Sequence, residues 1–325
     1  MNYIVSPLEL NEYTSEKYNC NVYFKREDLQ ITNSFKIRGA SNAIIKKNPT
    51  HVVTCSAGNH AQGILETCLH FNIPCTIFIP ITTPLQKQTK IENYKNKLQD
   101  ENKFMITIIK TQNTFDDCLK EALAFCNLNH ELTFIHPFDD IDVINGHSSI
   151  SQEIANVIDP DFIICSIGGG GLVAGQLLHR SNTNKTHEYK IIGVEPANAN
   201  GMELSLKHNK PTELQNIDTF VDGCAVKRIG NLTFDICSNN ETKIDDIIVV
   251  TKEQLCKTMI ELHNFSNIKT EPAGALSVAC LDQLSQQYNL KNKNVVCIIS
   301  GGNHDLNRNH EIENIASTKQ IIKFN

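Results

Sequence analysis

Phe162-Ile163-Ile164-Cys165-Ser166-Ile167-Gly168-Gly169-Gly170-Gly171-Leu172-Val173-Ala174-Gly175 is an apolar run that ends in four glycines and continues with helical spacing to His179. A short β-branched run without polar alternation suits a strand buried on both faces, the usual condition of a parallel sheet. Four glycines then turn the chain from strand to helix. Such a turn exposes backbone N–H groups at the positive end of a helix dipole, a combination that binds phosphate. The stretch therefore reads as a strand–turn–helix unit of an α/β protein, with an anion site at its turn.

The same alternation recurs on both sides of it. Apolar, β-branched runs lie at 52–55, 75–79, 105–109, 133–135, 162–167, 190–194, 247–250 and 295–299. Helical spacing falls between them, at 60–70, 115–126, 150–157, 172–179, 253–263 and 275–288. Strand and helix alternating through the chain predict parallel sheets with right-handed crossovers, flanked by helices. The polar stretch 92–103 reads as a surface connection. No long Gly/Ser/Pro linker separates the segments, so any two lobes should be interleaved.

The composition excludes several classes. The 325 residues carry a net charge of −6 from mixed signs, with no basic block for nucleic acid or an anionic membrane surface. No apolar run approaches the ~20 residues of a membrane span, and the first residues lack a secretory pattern. The twelve cysteines include no C-x-x-C pair and fall in apolar runs or on helical patterns. They read as reduced, packed thiols of a cytoplasmic protein, without a zinc site.

Ligands of open parallel sheets sit at the carboxyl ends of strands, and informative residues follow the apolar runs directly. Ser56-Ala57-Gly58-Asn59-His60 follows the run ending at Cys55. Ser300-Gly301-Gly302-Asn303 follows the run ending at Ile299, and Glu195 follows 190–194. Upstream, Asn33-Ser34-Phe35-Lys36-Ile37-Arg38-Gly39 places one lysine in a short polar stretch. A lysine together with a phosphate cradle suggests pyridoxal 5′-phosphate, whose aldehyde needs an amine of lowered pKa to form a Schiff base. The same amine then serves as base at the substrate Cα. Ser300 is a candidate partner of the pyridine nitrogen, Asn59 of the ring oxygen, and the 56–60 turn of a substrate carboxylate. A rival reading stays open at this point. Gly169-x-Gly171-x-x-Ala174 fits a dinucleotide fingerprint, with Glu195 placed for a ribose contact, and implies a nicotinamide-dependent oxidoreductase.

Seven segments then occur in one order: "SFKIRGA" (34–40), "SAGNHAQG" (56–63), "TTPLQK" (82–87), "GGGGLVAG" (168–175), "VDGCAVKRIG" (221–230), "EPAGAL" (271–276) and "SGGN" (300–303). With them the chain resembles the fold-type II pyridoxal-phosphate enzymes, tryptophan synthase beta-like in fold, and among these the threonine dehydratases (threonine ammonia-lyases). The resemblance implies two lobes: a large one of residues 1–39 and 138–325, and a small inserted one of 40–137. It implies Lys36 as the catalytic, cofactor-bearing residue, with Phe35, Asn59, Gly168, Gly169, Gly170, Gly171 and Ser300 around the cofactor. Ser56, Ala57, Gly58, His60 and Glu271 would face the substrate.

The implied reaction is L-threonine to 2-oxobutyrate and ammonia, a step of amino-acid metabolism toward isoleucine biosynthesis, with L-serine to pyruvate as a second activity. A cytoplasmic homodimer is expected. Ala57 stands where serine racemases carry a serine, so little racemisation is expected. The family's C-terminal regulatory domain is expected to be absent. Ala197-Asn198-Ala199-Asn200-Gly201 offers no second carboxylate, so no metal is expected. Gly146-His147-Ser148-Ser149 replaces the family's Gly-Gln-Gly-Thr in a segment expected to border the active site. Elimination or replacement on another hydroxy-amino acid, or cofactor binding without catalysis, are the alternatives.

Overall fold

The computed structural model describes residues 2–96, 98, 102, 105–183 and 189–318. Among them, ten strands form two sheets. The larger has the order β1 (Leu8–Leu10), β2 (Asn21–Arg26), β10 (Asn294–Ile299), β7 (Phe162–Ser166), β8 (Lys190–Pro196) and β9 (Asp246–Val250). The smaller has the order β5 (Ile106–Lys110), β4 (Cys75–Ile79), β3 (His51–Cys55) and β6 (Leu132–Phe134). Every pairing is parallel except that of β1 with β2, an antiparallel edge. The fold is the two-lobed α/β architecture expected, with mixed pairing in the larger sheet.

The helices are α1 (Glu12–Tyr18), α2 (Lys36–Lys47), α3 (Asn59–Phe71), α4 (Leu85–Asn96), α5 (Phe115–Asn127), α6 (Ile141–Ala155) and α7 (Gly171–Asn182). They continue as α8 (Gly201–His208), α9 (Asn231–Ser238), α10 (Lys252–Ser266), α11 (Pro272–Ala279), α12 (Leu281–Gln287) and α13 (Asn309–Ser317). None is long and apolar enough to cross a membrane.

Period-two side-chain alternation sorts the large sheet's residues into two cores. Val295, Cys297 and Ile299 of β10 join Phe162 and Ile164 of β7 and the helices α10 to α12 on one face. Val296 and Ile298 join Ile163 and Cys165 with α6, α7 and α9 on the other. The small sheet has its own core, into which α2 sends Ala40, Ala43 and Ile44. All twelve cysteines are free thiols, and all but Cys126 are buried.

The eight apolar runs are all strands. β2 escaped the reading because it ends in Lys25 and Arg26, residues that signal surface. Lys25 is instead buried, donating to Glu153 Oε2 and to the Ser6 carbonyl, each at 2.6 Å. The α6 pattern begins nine residues before 150, because Gly146, His147, Ser148 and Ser149 interrupt its apolar period. The pattern 275–288 is two helices, broken at Cys280. The polar stretch 92–103 begins as the end of α4; residues 97, 99–101 and 103 lie outside the described ones.

Helix α2 carries Lys36 at its first position and is anchored two residues later. Arg38 is fully buried and donates two hydrogen bonds to the Glu27 carboxylate, from Nε at 2.7 Å and Nη2 at 2.8 Å. It makes a second pair with Glu153, from Nη1 at 2.6 Å and Nη2 at 2.8 Å. Two cations, Arg38 and Lys25, thus neutralise two carboxylates, Glu27 and Glu153, beneath the base of α2.

Candidate active site

The carboxyl ends of β3, β7 and β10 open on one cleft of about 380 Å³ between the sheets. All thirteen residues singled out from the sequence line it: Phe35, Lys36, Ser56 to His60, Gly168 to Gly171, Glu271 and Ser300. Lys36 is half-buried, and its Nζ donates to the Pro137 carbonyl at 2.7 Å and lies 5.1 Å from the Phe35 ring centre. Burial lowers its pKa to about 8, against smaller opposing pulls from Cys224 and Glu271.

The glycine turn presents donors. The amides of Gly168, Gly169, Gly170, Gly171 and Leu172 have no protein acceptor among the described residues, while Ala174 begins the regular ladder on the Gly170 carbonyl. They are the orphan donors of a helix N-terminus, open to an anion. Gly170 has φ +97°, and a Cβ there would lie 2.7 Å from Thr233 Cβ. Gly170→Ala is therefore expected to lower stability by about 1–3 kcal/mol and to weaken phosphate binding at the turn. Thermal unfolding and titration with pyridoxal 5′-phosphate check both.

At the other wall, Ser300 Oγ donates to the Ala273 carbonyl at 3.1 Å and accepts from Ser166 Oγ at 3.2 Å. Asn59 Nδ2 donates to Glu271 Oε1 at 2.6 Å, and Asn59 Oδ1 accepts from Asn303 Nδ2 at 2.8 Å. One lone pair of Asn59 Oδ1 is thereby engaged, and one N–H remains to donate to a ligand. Burial, with Asp222 nearby, raises the Glu271 pKa to about 7. Ser56 Oγ accepts from the Gly58 amide at 3.2 Å, so the turn is held by its own side chain. The amides of Ala57, Asn59, His60 and Ala61 have no protein acceptor among the described residues and form a second donor set at the start of α3. His60 is buried with Nε2 3.3 Å from the Ile135 carbonyl. Burial, then Lys36, hold it well below its ordinary pKa.

Two expectations need correction. Glu195 does not line the cleft; its carboxylate accepts from the amides of Met202 at 2.8 Å and Glu203 at 2.9 Å, capping α8. That removes the ribose contact the nicotinamide reading required. The 146–149 segment also does not line the cleft: it lies inside α6, with His147 behind Phe35.

Residues without a sequence signal for a site complete the rim. Lys87 and Lys90 of α4 line it, and Lys87 pairs with Asp222 across the mouth. Cys224 also lines the cleft. Lys87 and Cys224 sit in the seven quoted segments, but nothing in their type or spacing marked a cleft.

The donor set fits pyridoxal 5′-phosphate. An amine of lowered pKa, two arrays of unpaired amides at helix starts, a strand-end hydroxyl and an amide with one free N–H share one cavity. The chemistry is complementary to an aldehyde, a phosphate, a carboxylate, a ring nitrogen and a ring oxygen.

Comparison with known proteins agrees. A family model described as pyridoxal-phosphate dependent enzyme matches residues 1–301. The chain is 43% identical over 314 residues to the L-threonine dehydratase biosynthetic IlvA of Halalkalibacterium halodurans, covering 94% of this chain and 72% of that protein. It is 44% identical over 316 residues to the Bacillus subtilis protein of the same name, covering 95% and 71%. Among solved structures, the processed form of threonine deaminase isoform 2 from Solanum lycopersicum superposes with a TM-score of 0.86 at 34% identity, over 98% of this chain and 89% of that one. A threonine deaminase from T.th. gives 0.82 at 26% identity, over 94% of each chain.

Proposed function

The chain belongs to the pyridoxal-phosphate dependent enzyme family, and from that premise we propose that it is a threonine ammonia-lyase. It converts L-threonine to 2-oxobutyrate and ammonia, and L-serine to pyruvate more slowly. The observation that carries this reading is a lysine amine of lowered pKa sharing one cleft with two unpaired amide arrays.

The cofactor, when bound, supplies an aldehyde for the lysine and a ring that accepts the electron pair left at the substrate Cα. Lys36 Nζ would hold the cofactor and would serve as the base that takes the proton from the substrate Cα. The amides of Gly168 to Leu172 hold the phosphate. Ser300 Oγ would turn its one O–H from the Ala273 carbonyl to the ring nitrogen, which would leave that nitrogen neutral and suit prompt loss of the β-hydroxyl. The remaining N–H of Asn59, oriented by Glu271 and Asn303, would donate to the ring oxygen. Phe35 packs beside the ring, and the Ser56–His60 turn takes the substrate carboxylate. Residues 1–39 with 138–325 form the cofactor lobe and 40–137 the substrate lobe, in a cytoplasmic homodimer.

Keto-acid release from L-threonine and L-serine by the cofactor-loaded protein tests the reading; no release from either sinks it. A second reading, elimination from a larger hydroxy-amino acid, is favoured by Gly58, where an added Cβ meets no atom within 4 Å. Faster release from such a substrate than from L-threonine would select it.

The lysine also sets a pH dependence. Cofactor capture by the stripped protein needs the neutral amine. Because the Lys36 pKa is lowered to about 8, capture should accelerate with rising pH and level off above that value. A lysine at its ordinary pKa would keep accelerating toward about 10.4. Stopped-flow absorbance of cofactor uptake distinguishes the two.

A further inference from the structure

His147 sits in the middle of α6 with no exposed surface, and neither ring nitrogen has a hydrogen-bond partner among the described residues. A buried polar atom without a partner costs stability, and an apolar side chain of similar volume would avoid that cost. The ring is held closely. A Cβ on Gly39 of α2 would lie 2.2 Å from His147 Cε1, and one on Gly175 of α7 would lie 2.9 Å from His147 Cβ. Against it, edge-on, stands Phe35, with ring centres 4.8 Å apart and planes at 79°. Phe35 is the residue that precedes α2, forms the cleft wall and lies beside Lys36 Nζ. Burial, then Lys36, Arg38 and His60, keep the imidazole unprotonated.

We propose that His147 is a positioning residue: gripped between α2 and α7, its ring fixes the plane of Phe35 and so the aromatic wall beside Lys36. A side chain that only filled space would not keep two unpaired nitrogens. Edge-to-face contact, which aromatic pairs prefer, gives the Phe35 ring a defined orientation that an aliphatic neighbour would not impose. The inference rests on the proposed roles of Lys36 and Phe35 and assigns His147 no contact with substrate.

The test is a double-mutant cycle of His147→Leu and Phe35→Leu. It is read by the thermal midpoint without cofactor, the visible circular dichroism of bound pyridoxal 5′-phosphate, and kcat and KM for L-threonine. His147→Leu should unfold at the same temperature as wild type or higher. It should weaken the dichroic band and lower kcat by about tenfold or more, as displaced reacting groups do, with KM changed less than about twofold. In the Phe35→Leu background it should add nothing, because the two residues act as one unit. An unchanged band and kcat, or effects that multiply independently in the double variant, overturn the proposal.

Should His147→Leu not fold, His147→Met carries the same comparison. It fills the space with a flexible side chain but loses the ring, and is expected to show the same losses; full kcat and band in that variant overturn the proposal. Failure of the wild type to release keto acid from L-threonine would sink the substrate reading alone. The dichroic band and the cycle would still decide the coupling of His147 to Phe35.

Discussion

Lys36→Ala protein is expected to release 2-oxobutyrate from L-threonine about 10²–10⁴-fold more slowly than wild type, the range lost with a positioned base. The amine faces the cleft from the first residue of α2, and it donates to the Pro137 carbonyl there. Removing it leaves no other lysine in a comparable place among the described residues. Lys87 is tied to Asp222, and Lys87 and Lys90 both project from α4 rather than from the start of α2. The fold should survive, since Lys36 contributes no side chain to the hydrophobic cores. The amides of Gly168 to Leu172 remain, so the variant should still bind cofactor, without the covalent bond. Lys36→Arg should be equally inactive, because a guanidinium does not deprotonate in a protein. Keto-acid assays on both variants, with circular dichroism to confirm folding, check this; activity within tenfold of wild type would remove the lysine from the chemistry.

Arg38→Ala should be the most destabilising single change at the base of α2, by about 3–5 kcal/mol, as expected when one member of a buried ion pair is removed. Glu27 is fully buried and loses both guanidinium bonds, while Glu153 keeps only Lys25. The apparent melting temperature should fall on the order of 10 °C. Charge accounts for the loss more than volume does. Replacing Arg38 and Glu27 together by methionine should recover much of it, since a buried pair exchanged for packed apolar residues is often neutral. Thermal unfolding of the single and double variants separates the two contributions. Because Lys36 lies two residues before Arg38 on the same helix, the single variant should also lose activity below its melting temperature.

The strands of both sheets were legible wherever burial on two faces produced a continuous apolar run, as at Phe162–Ser166 and Asn294–Ile299. The cleft was legible for the same reason: in a parallel sheet the residues after a run are at the ligand end, which placed Ser56, Gly168 and Ser300 together. What stayed hidden depended on buried charge. Lys25 in β2 and Arg38 in α2 are of types usually found at the surface, yet both are buried, paired with the buried Glu27 and the largely covered Glu153. Pairing with Glu153, more than a hundred residues away from both, leaves no local pattern. Helix α6 was read short because polar residues interrupt its period, and one of them, His147, is buried with both ring nitrogens unsatisfied. Glu195 misled in the opposite direction: its position after a strand matched a ligand contact, while its carboxylate caps the neighbouring α8.

The central claim is that Lys36 bears the cofactor. Borohydride reduction of the protein loaded with pyridoxal 5′-phosphate, followed by proteolysis and mass spectrometry, tests it directly. The account predicts the pyridoxyl modification on the peptide containing Lys36 and on no other. Modification of Lys87 or Lys90 instead, or of no lysine at all, would contradict it.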